Sequence, residues 1–568
     1  MSDVTPVPVP ARPRRLAVVA LYLTQSAHEY NELMGYRLGA SALNLPIRIL
    51  VPRDADALLA ESLSAERVLE PLPGIHLVSS GDVARDLTAF ADGISDLTSL
   101  WSALDREELT RGDLLLFVQA NVFFIAGIGH WLSQKRPDRR PRVFFRFTGG
   151  EVIDQATGGW RDAAAFYRLA ARDLNTREGS DDVFFLVHNT TVARAVTNAC
   201  NRRTFLMPLP KYLPPPRQTA NAAAPSEIKT VYVHLNRRSA EMLDAVGELV
   251  RSMARAHPDI RFLLKTSDLS SQGLTMGMVD EGVRSQIEIL PDELGADEYF
   301  ASIQRADVVL LAYPSIAYAS LKSGVFAEAA AFGKPVVAPA ETWIARDMKA
   351  GQGVGHVFHK PTTAAMRAAL ERMLAELPTL GPAARAIAER ARQDNASQRY
   401  LERMLTLAEG DWDMHPRLQV GEVIEFRHPI DSRIFMQNGW GEAEDWGAWT
   451  VQECASLSLL PEAGVGRPLS LRAQLSPWLS KERPELRVRV MANDELIATW
   501  EFLLGERYAN GGLWRTATLP PQVRGDGTRP ILVSFSFEDL KSPQELGVSS
   551  DTRKLGLGLR KLMLVAGE

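Results

Sequence analysis

Residues 322–328 combine the side chains and backbone groups best suited to binding a diphosphate. Lys322-Ser323-Gly324 stands at the predicted start of a helix, where free N–H groups point toward an anion and glycine allows its close approach. Lys322 adds a full positive charge. Glu328 lies about a turn and a half into the helix and could accept hydrogen bonds from sugar or ribose hydroxyls. The segment therefore predicts a site for a diphosphate-linked sugar.

A strand, a loop, a helix and a second strand must position these residues. Residues 307–312 form a short run rich in Val and Leu, which is typical of a strand buried on both faces of a parallel sheet. Val325 and Phe326 begin the apolar part of the helix, and Gly333-Lys334-Pro335 ends it. A second strand begins at Val336. The segment is thus a β-α-β unit.

Further basic residues follow other strands of the same predicted sheet. Arg237 and Arg238 come after a strand at residues 230–235, and Lys265 follows a strand at residues 261–264. Because ligands of open parallel sheets lie outside the carboxyl ends of the strands, we expect these cations to converge. Two or three charge-assisted hydrogen bonds, each worth roughly 1.5–3 kcal/mol, would support micromolar binding without a metal. Each residue alone could form a surface salt bridge instead; the set favours binding.

The segment from Tyr313 to Trp343, YPSIAYASLKSGVFAEAAAFGKPVVAPAETW, resembles the donor-binding segment of GT-B glycosyltransferases of glycosyltransferase family 4 (group 1). Within this segment the resemblance extends to individual residues. Over the rest of residues 14–409 it is limited to the architecture, the order of strands and helices. It implies that Ser323 and Gly324 offer backbone amides to the donor diphosphate and that Glu328 holds the nucleotide ribose. It also implies retention of anomeric configuration.

Two positions depart from the family pattern. The family often has a second glutamate eight positions before Glu328, where this chain has Ser320. It also usually has a lysine a turn after the arginine that follows the first strand, where this chain has Met242 and Leu243. The predicted donor-binding set is Arg237, Arg238, Lys265, Tyr313, Lys322, Ser323, Gly324, Val325 and Glu328.

An earlier series of strands predicts a second nucleotide-type α/β domain. Apolar runs stand at residues 16–22, 47–51, 114–118, 143–147 and 183–187, and polar loops follow several of them. His28 and Glu151 lie in such loops and are the leading candidates for catalytic residues. The alternative for each is a surface or capping residue, as expected of Asn189 or Thr190 at the start of the next helix.

Composition restricts the class of protein. The chain has 568 residues, 46% of them hydrophobic and 23% charged, which predicts a globular protein of about three domains. A formal net charge of −5 does not indicate a nucleic-acid partner. Cys200 and Cys454 are the only cysteines, far apart in sequence. They exclude a disulfide framework and favour a reducing compartment.

The N-terminal residues allow two interpretations. Arg12-Pro13-Arg14-Arg15 followed by LAVVALYL is similar to a signal peptide, with a basic start and an apolar core. We favour a tail followed by the first strand, because helices and strands alternate immediately afterwards. No stretch reaches the roughly 18 apolar residues of a membrane-spanning helix. A cytoplasmic protein is expected, with peripheral association at the inner membrane face as a further expectation.

Changes in composition and in the spacing of apolar residues divide the chain into six predicted segments. These are a disordered tail (1–13), an N-terminal Rossmann-like acceptor domain (14–207), a Pro-rich linker (208–228), a Rossmann-like donor-binding domain (229–395), a crossing helix (396–410) and a β-sandwich (411–568). In the last segment, apolar and polar residues alternate on both sides of Asn493-Asp494, which predicts a hairpin. In a later strand the alternation shifts by one residue near Arg560, which predicts a bulge. Its tryptophans near Gly439 could stack on sugars, but we favour core positions for most of them.

The predicted fold class is therefore α/β of GT-B type, two Rossmann-like domains facing a cleft, with a C-terminal all-β sandwich. The expected function is metal-independent, cofactor-free transfer of a sugar from a nucleotide-diphosphate sugar to a glycan or lipid-linked acceptor in bacterial surface polysaccharide synthesis. Two alternatives remain: a degenerate transferase that binds a glycan or a protein partner, and a GT-B sugar-nucleotide epimerase.

Overall fold

A computed structural model describes most of the chain. The described residues are 14–21, 27–70, 82–153, 164–200, 202, 204–214, 228–266, 281–291, 294–409, 418, 420–426, 435–436, 439–444, 446–461, 468–506, 512–524 and 531–566. The predicted tail at 1–13 and much of the predicted linker lie outside these residues. Among the described residues, no helix combines the length and the apolar character needed to cross a bilayer.

The first domain is built on a seven-stranded parallel sheet. Its strands are β1 (Leu16–Val19), β2 (Ile47–Pro52), β3 (Glu66–Leu69), β4 (Leu114–Phe117), β5 (Arg142–Arg146), β6 (Val183–Val187) and β7 (Thr204–Leu206), in the order β3-β2-β1-β4-β5-β6-β7. β1, β4 and β6 are buried along their whole length. Leu16–Val19 is thus an interior strand, as expected from runs that are apolar on both faces.

Helices cover both faces of this sheet. They are α1 (Ala27–Ala42), α2 (Ala57–Ser62), α3 (Val83–Ser95), α4 (Thr98–Arg106), α5 (Val122–Ser133), α6 (Ala164–Thr176) and α7 (Thr190–Cys200), with short 3-10 turns at Pro137–Arg139 and Ser180–Asp182. α5 is apolar nearly all round and almost wholly buried, as expected of a helix covered by neighbours on every side.

The second domain has a six-stranded parallel sheet. Its strands are β8 (Lys229–Leu235), β9 (Ile260–Thr266), β10 (Ile287–Leu290), β11 (Val308–Leu311), β12 (Val336–Pro339) and β13 (Gly355–Phe358), in the order β10-β9-β8-β11-β12-β13. Its helices are α8 (Leu243–Ala256), α9 (Ala296–Arg305), α10 (Ser315–Tyr318), α11 (Gly324–Ala331) and α12 (Trp343–Lys349), with 3-10 turns at Arg237–Met242 and Glu281–Gln286. The strand order reverses between β8 and β11, the place where such sheets bind ligands.

Two long helices join the domains. The first, α13 (Thr363–Asp394), continues without a break through Pro378 and Pro382. The chain breaks only before α14 (Ser397–Ala408), which packs on α1 of the first domain. Gly35 and Gly39 permit this approach, since a Cβ at either position would overlap Ser397 or the backbone of Gln398.

The C-terminal region contains two antiparallel sheets. β14 (Val423–Glu425), β15 (Trp440–Glu444), β16 (Gly447–Thr450), β18 (Leu469–Pro477), β21 (Leu513–Leu519) and β23 (Leu557–Ala566) form one sheet; β17 (Cys454–Leu459), β19 (Glu485–Ala492), β20 (Glu495–Leu503) and β22 (Ile531–Phe537) form the other. One short helix, α15 (Pro521–Arg524), interrupts them. The predicted hairpin at Asn493-Asp494 and the irregularity near Arg560 are both present.

The sheets thus confirm the predicted fold class. Two Rossmann-like domains face each other in the GT-B arrangement, and an all-β sandwich follows. The sandwich contacts the first domain through Arg194, whose guanidinium pairs with Glu422 and lies over the ring of Phe435.

Candidate functional site between the domains

The carboxyl-terminal loops of the two sheets meet directly. Asn189, after β6, donates from Nδ2 to the backbone oxygen of Ser320, after β11, over 2.8 Å. Asn189 also accepts from the N–H of Val192, so it caps α7, as the sequence predicts. Both residues are buried. One side chain therefore shapes a helix start and joins the two domains at the cleft.

The start of α11 faces this contact. Ser323 is its N-cap, and Oγ accepts from the N–H of Phe326 over 3.1 Å. The first N–H groups of any helix lack partners within it, so the amides of Gly324 and Val325 are placed to bind an anion. The sequence predicts this helix start, and its use for donor binding stays a prediction.

Glu328 is engaged at the same helix end. Its Oε1 lies 3.0 Å from Nζ of Lys211, and its Oε2 accepts from the hydroxyl of Tyr299 over 2.6 Å. Both charged side chains are more than nine-tenths buried. Burial and the neighbouring carboxylate raise the pKa of Tyr299, so this phenol stays a donor. The residue predicted to hold ribose is thus already bonded on both oxygens.

Lys322, two residues before Gly324, pairs with a carboxylate of α12. Its Nζ is 3.3 Å from Oδ2 of Asp347 and 5.8 Å from the ring centre of Trp343. Burial raises the pKa of Asp347, and the ammonium of Lys322 opposes that shift. Lys322 is thus paired with Asp347, and its use for donor binding stays a prediction.

Lys265 and Tyr313 both have protein partners, and those of Tyr313 include the side chain of Ser323, the N-cap of α11. Nζ of Lys265 donates to the backbone oxygen of Pro291 over 3.0 Å, at the end of the sheet. The hydroxyl of Tyr313 lies 3.0 Å from Nδ1 of His234, and its ring stacks on Tyr318 with centres 4.1 Å apart. Burial, reinforced by Lys265, lowers the pKa of His234 to about 3. These residues support the sheet edge beneath the site.

Four further predicted site residues remain. For three of them the structure does not describe the side chain, and the fourth, Glu151, caps a turn. Arg237 and Arg238 lie in the 3-10 turn after β8, but their side chains are outside the described residues, as is the side chain of His28 in α1. Glu151 is 3% exposed and accepts from the N–H groups of Thr148 and Gly149 over 3.0 and 2.6 Å. This carboxylate closes the turn after β5, the capping alternative raised for it.

A buried cluster on the first domain was not predicted. Nη2 of Arg146, at the end of β5, lies 2.6 Å from Oε1 of Glu32 in α1. Its Nε donates to the backbone oxygen of Val118 over 2.7 Å, and Nη1 lies 3.4 Å from Nε2 of His188. The sequence signal that could have revealed this cluster is Arg146 itself, a charged residue at the end of an apolar strand. Lys211, in the Pro-rich segment, offered no such signal.

His188 is held neutral in this cluster. Its Nδ1 lies 3.2 Å from the backbone oxygen of Pro208, which makes Nδ1 the donor and leaves Nε2 to face Arg146. Burial, with the charges of Arg146 and Lys322, lowers the pKa of His188 to about 3. The imidazole is therefore neutral at neutral pH, with Nε2 as an acceptor toward Arg146 and little tendency to take up a proton.

Comparisons with known proteins identify no family for the chain. No protein-family model and no curated protein matches the chain. Among solved structures, the glycotransferase of kitacinnamycin is 16% identical with a TM-score of 0.43, and the match covers 71% of this chain and 100% of that one. WaaG, a glycosyltransferase involved in lipopolysaccharide biosynthesis, is 14% identical (TM-score 0.42; 70% and 100% covered). The UDP-GlcNAc 2-epimerase of Neisseria meningitidis is also 14% identical (TM-score 0.40; 69% and 100% covered). These values are too low to transfer an activity.

Proposed function

We propose that the chain is a glycosyltransferase of the family 4 type that takes its sugar from a nucleotide-diphosphate donor. The observation that carries the proposal is the start of α11, where Ser323, Gly324, Lys322 and Glu328 meet the first domain at the cleft. The amides face the position of a diphosphate, Lys322 adds charge, and the carboxylate offers acceptor oxygens for ribose. Arg237 and Arg238, directly after β8, complete the proposed donor site.

Departure of the diphosphate is the step these groups would assist. Negative charge grows on the leaving phosphate as the glycosidic bond breaks, and fixed donors stabilise it without a bound metal. The positive end of α11 and the ammonium of Lys322 act at this place. Each charge-assisted hydrogen bond is worth roughly 1.5–3 kcal/mol.

The acceptor is proposed to enter from the first domain. His28 remains a candidate catalytic residue at the start of α1, whereas Glu151 acts by shaping the loop after β5, because its oxygens are already taken by that turn. We place the reaction in bacterial surface polysaccharide synthesis, with a glycan or lipid-linked acceptor. A cytoplasmic enzyme, peripherally associated with the inner membrane face, would meet such an acceptor.

A second function, binding without turnover, is favoured by two observations. Ser320 stands where the family often has a carboxylate, and its backbone oxygen is bonded to Asn189. Glu328 is bonded to Lys211 and Tyr299. A degenerate transferase that recognises a glycan or a protein partner would have this kind of closed site.

A donor screen separates these functions. The purified chain is incubated with UDP-, GDP- and ADP-sugars, and hydrolysis, transfer and interconversion of the sugars are measured by chromatography. Transfer or hydrolysis that Lys322→Ala and Glu328→Ala abolish supports the transferase. Binding without turnover supports the second function, and interconversion of the free donor supports an epimerase. No binding of any donor would refute the proposal.

A further inference from the structure

Lys211 reaches the candidate donor site from outside both sheets. It follows β7 in the segment that leaves the first domain, yet its Nζ lies against Gly324 at the start of α11 and 3.0 Å from Oε1 of Glu328. We infer that Lys211 is a donor-binding residue, which binds the diphosphate when the sugar nucleotide enters. The inference rests on the proposed function and adds a residue to that site.

The position of the ammonium is the first argument. A Cβ placed on Gly324 would overlap Nζ and Cε of Lys211, so the ammonium occupies space over the first residue of α11. That is the positive end of the helix, where N–H groups repel a cation and attract an anion. Only Glu328, from the same helix, offsets this repulsion at Nζ among the described contacts. An anion between the ammonium and the amides would satisfy both.

The hydrogen-bonding capacity of the ammonium is the second argument. A lysine ammonium has three donors, and in the described residues one bond, to Glu328, is defined for Nζ. The side chain of Lys211 is 9% exposed, so water has little access to the rest of the group. Entry of a diphosphate moves Nζ away from Gly324. The ammonium then bridges a phosphate oxygen and Glu328, whose other oxygen still accepts from Tyr299.

The backbone of Lys211 fixes where the side chain starts. Its N–H donates to the oxygen of Asn395 over 3.1 Å, and it forms a parallel bridge with Ala396, between α13 and α14. This is the point at which the chain crosses from the second domain to the first. Lys211 therefore brings a cation to the start of α11 from the domain junction.

Calorimetric titration of wild type and Lys211→Met with UDP, GDP and ADP, their monophosphates and their nucleosides tests the inference. For the base that wild type binds, the charge-assisted bond predicts roughly 10- to 100-fold weaker diphosphate binding in Lys211→Met. Nucleoside affinity should be unchanged, which a merely structural role would not produce. Lys211→Arg should retain most diphosphate affinity.

Lys334→Met is the matched control. Lys334 lies beyond the other end of α11, and its Nζ donates to the backbone oxygen of Gln304 over 2.7 Å; its replacement should leave diphosphate affinity unchanged. Should Lys211→Met not fold, Lys211→Gln, uncharged but polar, is titrated in its place. Equal diphosphate affinity in wild type and the Lys211 variant overturns the inference alone. Wild type that binds no diphosphate overturns the proposed function and the inference together.

Discussion

Two buried ion pairs face the same cleft, and they are built differently. Arg146 and Glu32 both belong to the first domain, and Arg146 is also held by the oxygen of Val118. Lys211 and Glu328 join the domain junction to α11 of the second domain, and few contacts hold the ammonium. The first pair lies within one domain, whereas the second joins the domain junction to α11, so we expect movement of the domains or entry of a ligand to affect the second pair more. The proposal thus assigns stability to the first pair and donor binding to the second.

Arg146→Met tests the structural pair and should have the largest effect. The substitution leaves Glu32 buried without its cation, and breaking a buried pair in this way typically costs about 3–5 kcal/mol. Urea unfolding measures this loss. Arg487→Met is the control: Arg487 pairs with Glu501 on the exposed face of a hairpin and should change stability by less than about 0.5 kcal/mol. Equal losses in both variants would refute the structural assignment.

Glu328→Ala tests the binding pair through activity. Removal of the carboxylate takes away the proposed ribose ligand and leaves Lys211 and Tyr299 without their shared acceptor. We expect kcat/KM for the donor found in the screen to fall by about 100-fold or more, a magnitude typical of losing one charged positioning contact. Glu371→Ala, on the exposed side of α13, serves as control. Unchanged kcat/KM in Glu328→Ala would remove Glu328 from the proposed site.

Asn189→Ala tests the direct contact between the domains. It removes the cap of α7 and leaves the buried oxygen of Ser320 without its donor. Together these predict a loss of about 2 kcal/mol in urea unfolding. Thr362→Ala, which removes the cap of α13 alone, should cost about 1 kcal/mol. Equal losses would mean that the bond between the domains contributes nothing measurable.

The sequence predicts local features of the site well and its long-range pairs poorly. The buried strands follow from apolar runs, and the cap of α11 follows from Ser323 and Gly324, because neighbours in sequence decide both. Arg146 and Glu32 are 114 residues apart, and Lys211 and Glu328 are 117 apart. Such pairs depend on how the domains pack. Lys265 shows the same limit, since Pro291 supplies a carbonyl that no local pattern reveals.

The pH dependence of stability tests whether the buried cluster of Arg146, Glu32 and His188 is fixed in the first domain. The pKa of His188 is lowered to about 3 in the folded protein, against about 6.5 when unfolded. The unfolded chain therefore binds a proton first as the pH falls below 6.5. This histidine's contribution to stability is complete above that pH and is lost toward pH 3, by at most about 1.4 kcal/mol per pH unit.

His188→Gln removes this contribution while keeping a donor for Pro208 and an acceptor for Arg146. Urea unfolding at pH 6.5, 5.5 and 4.5 should show the difference between wild type and variant shrinking by about 1 kcal/mol per unit as the pH falls. His234, whose pKa is also lowered to about 3, is present in both proteins, so its effect cancels. A difference that stays constant with pH would mean that His188 can be protonated in place. Arg146 would then have to move away from the ring, and the first pair would not be fixed by its domain.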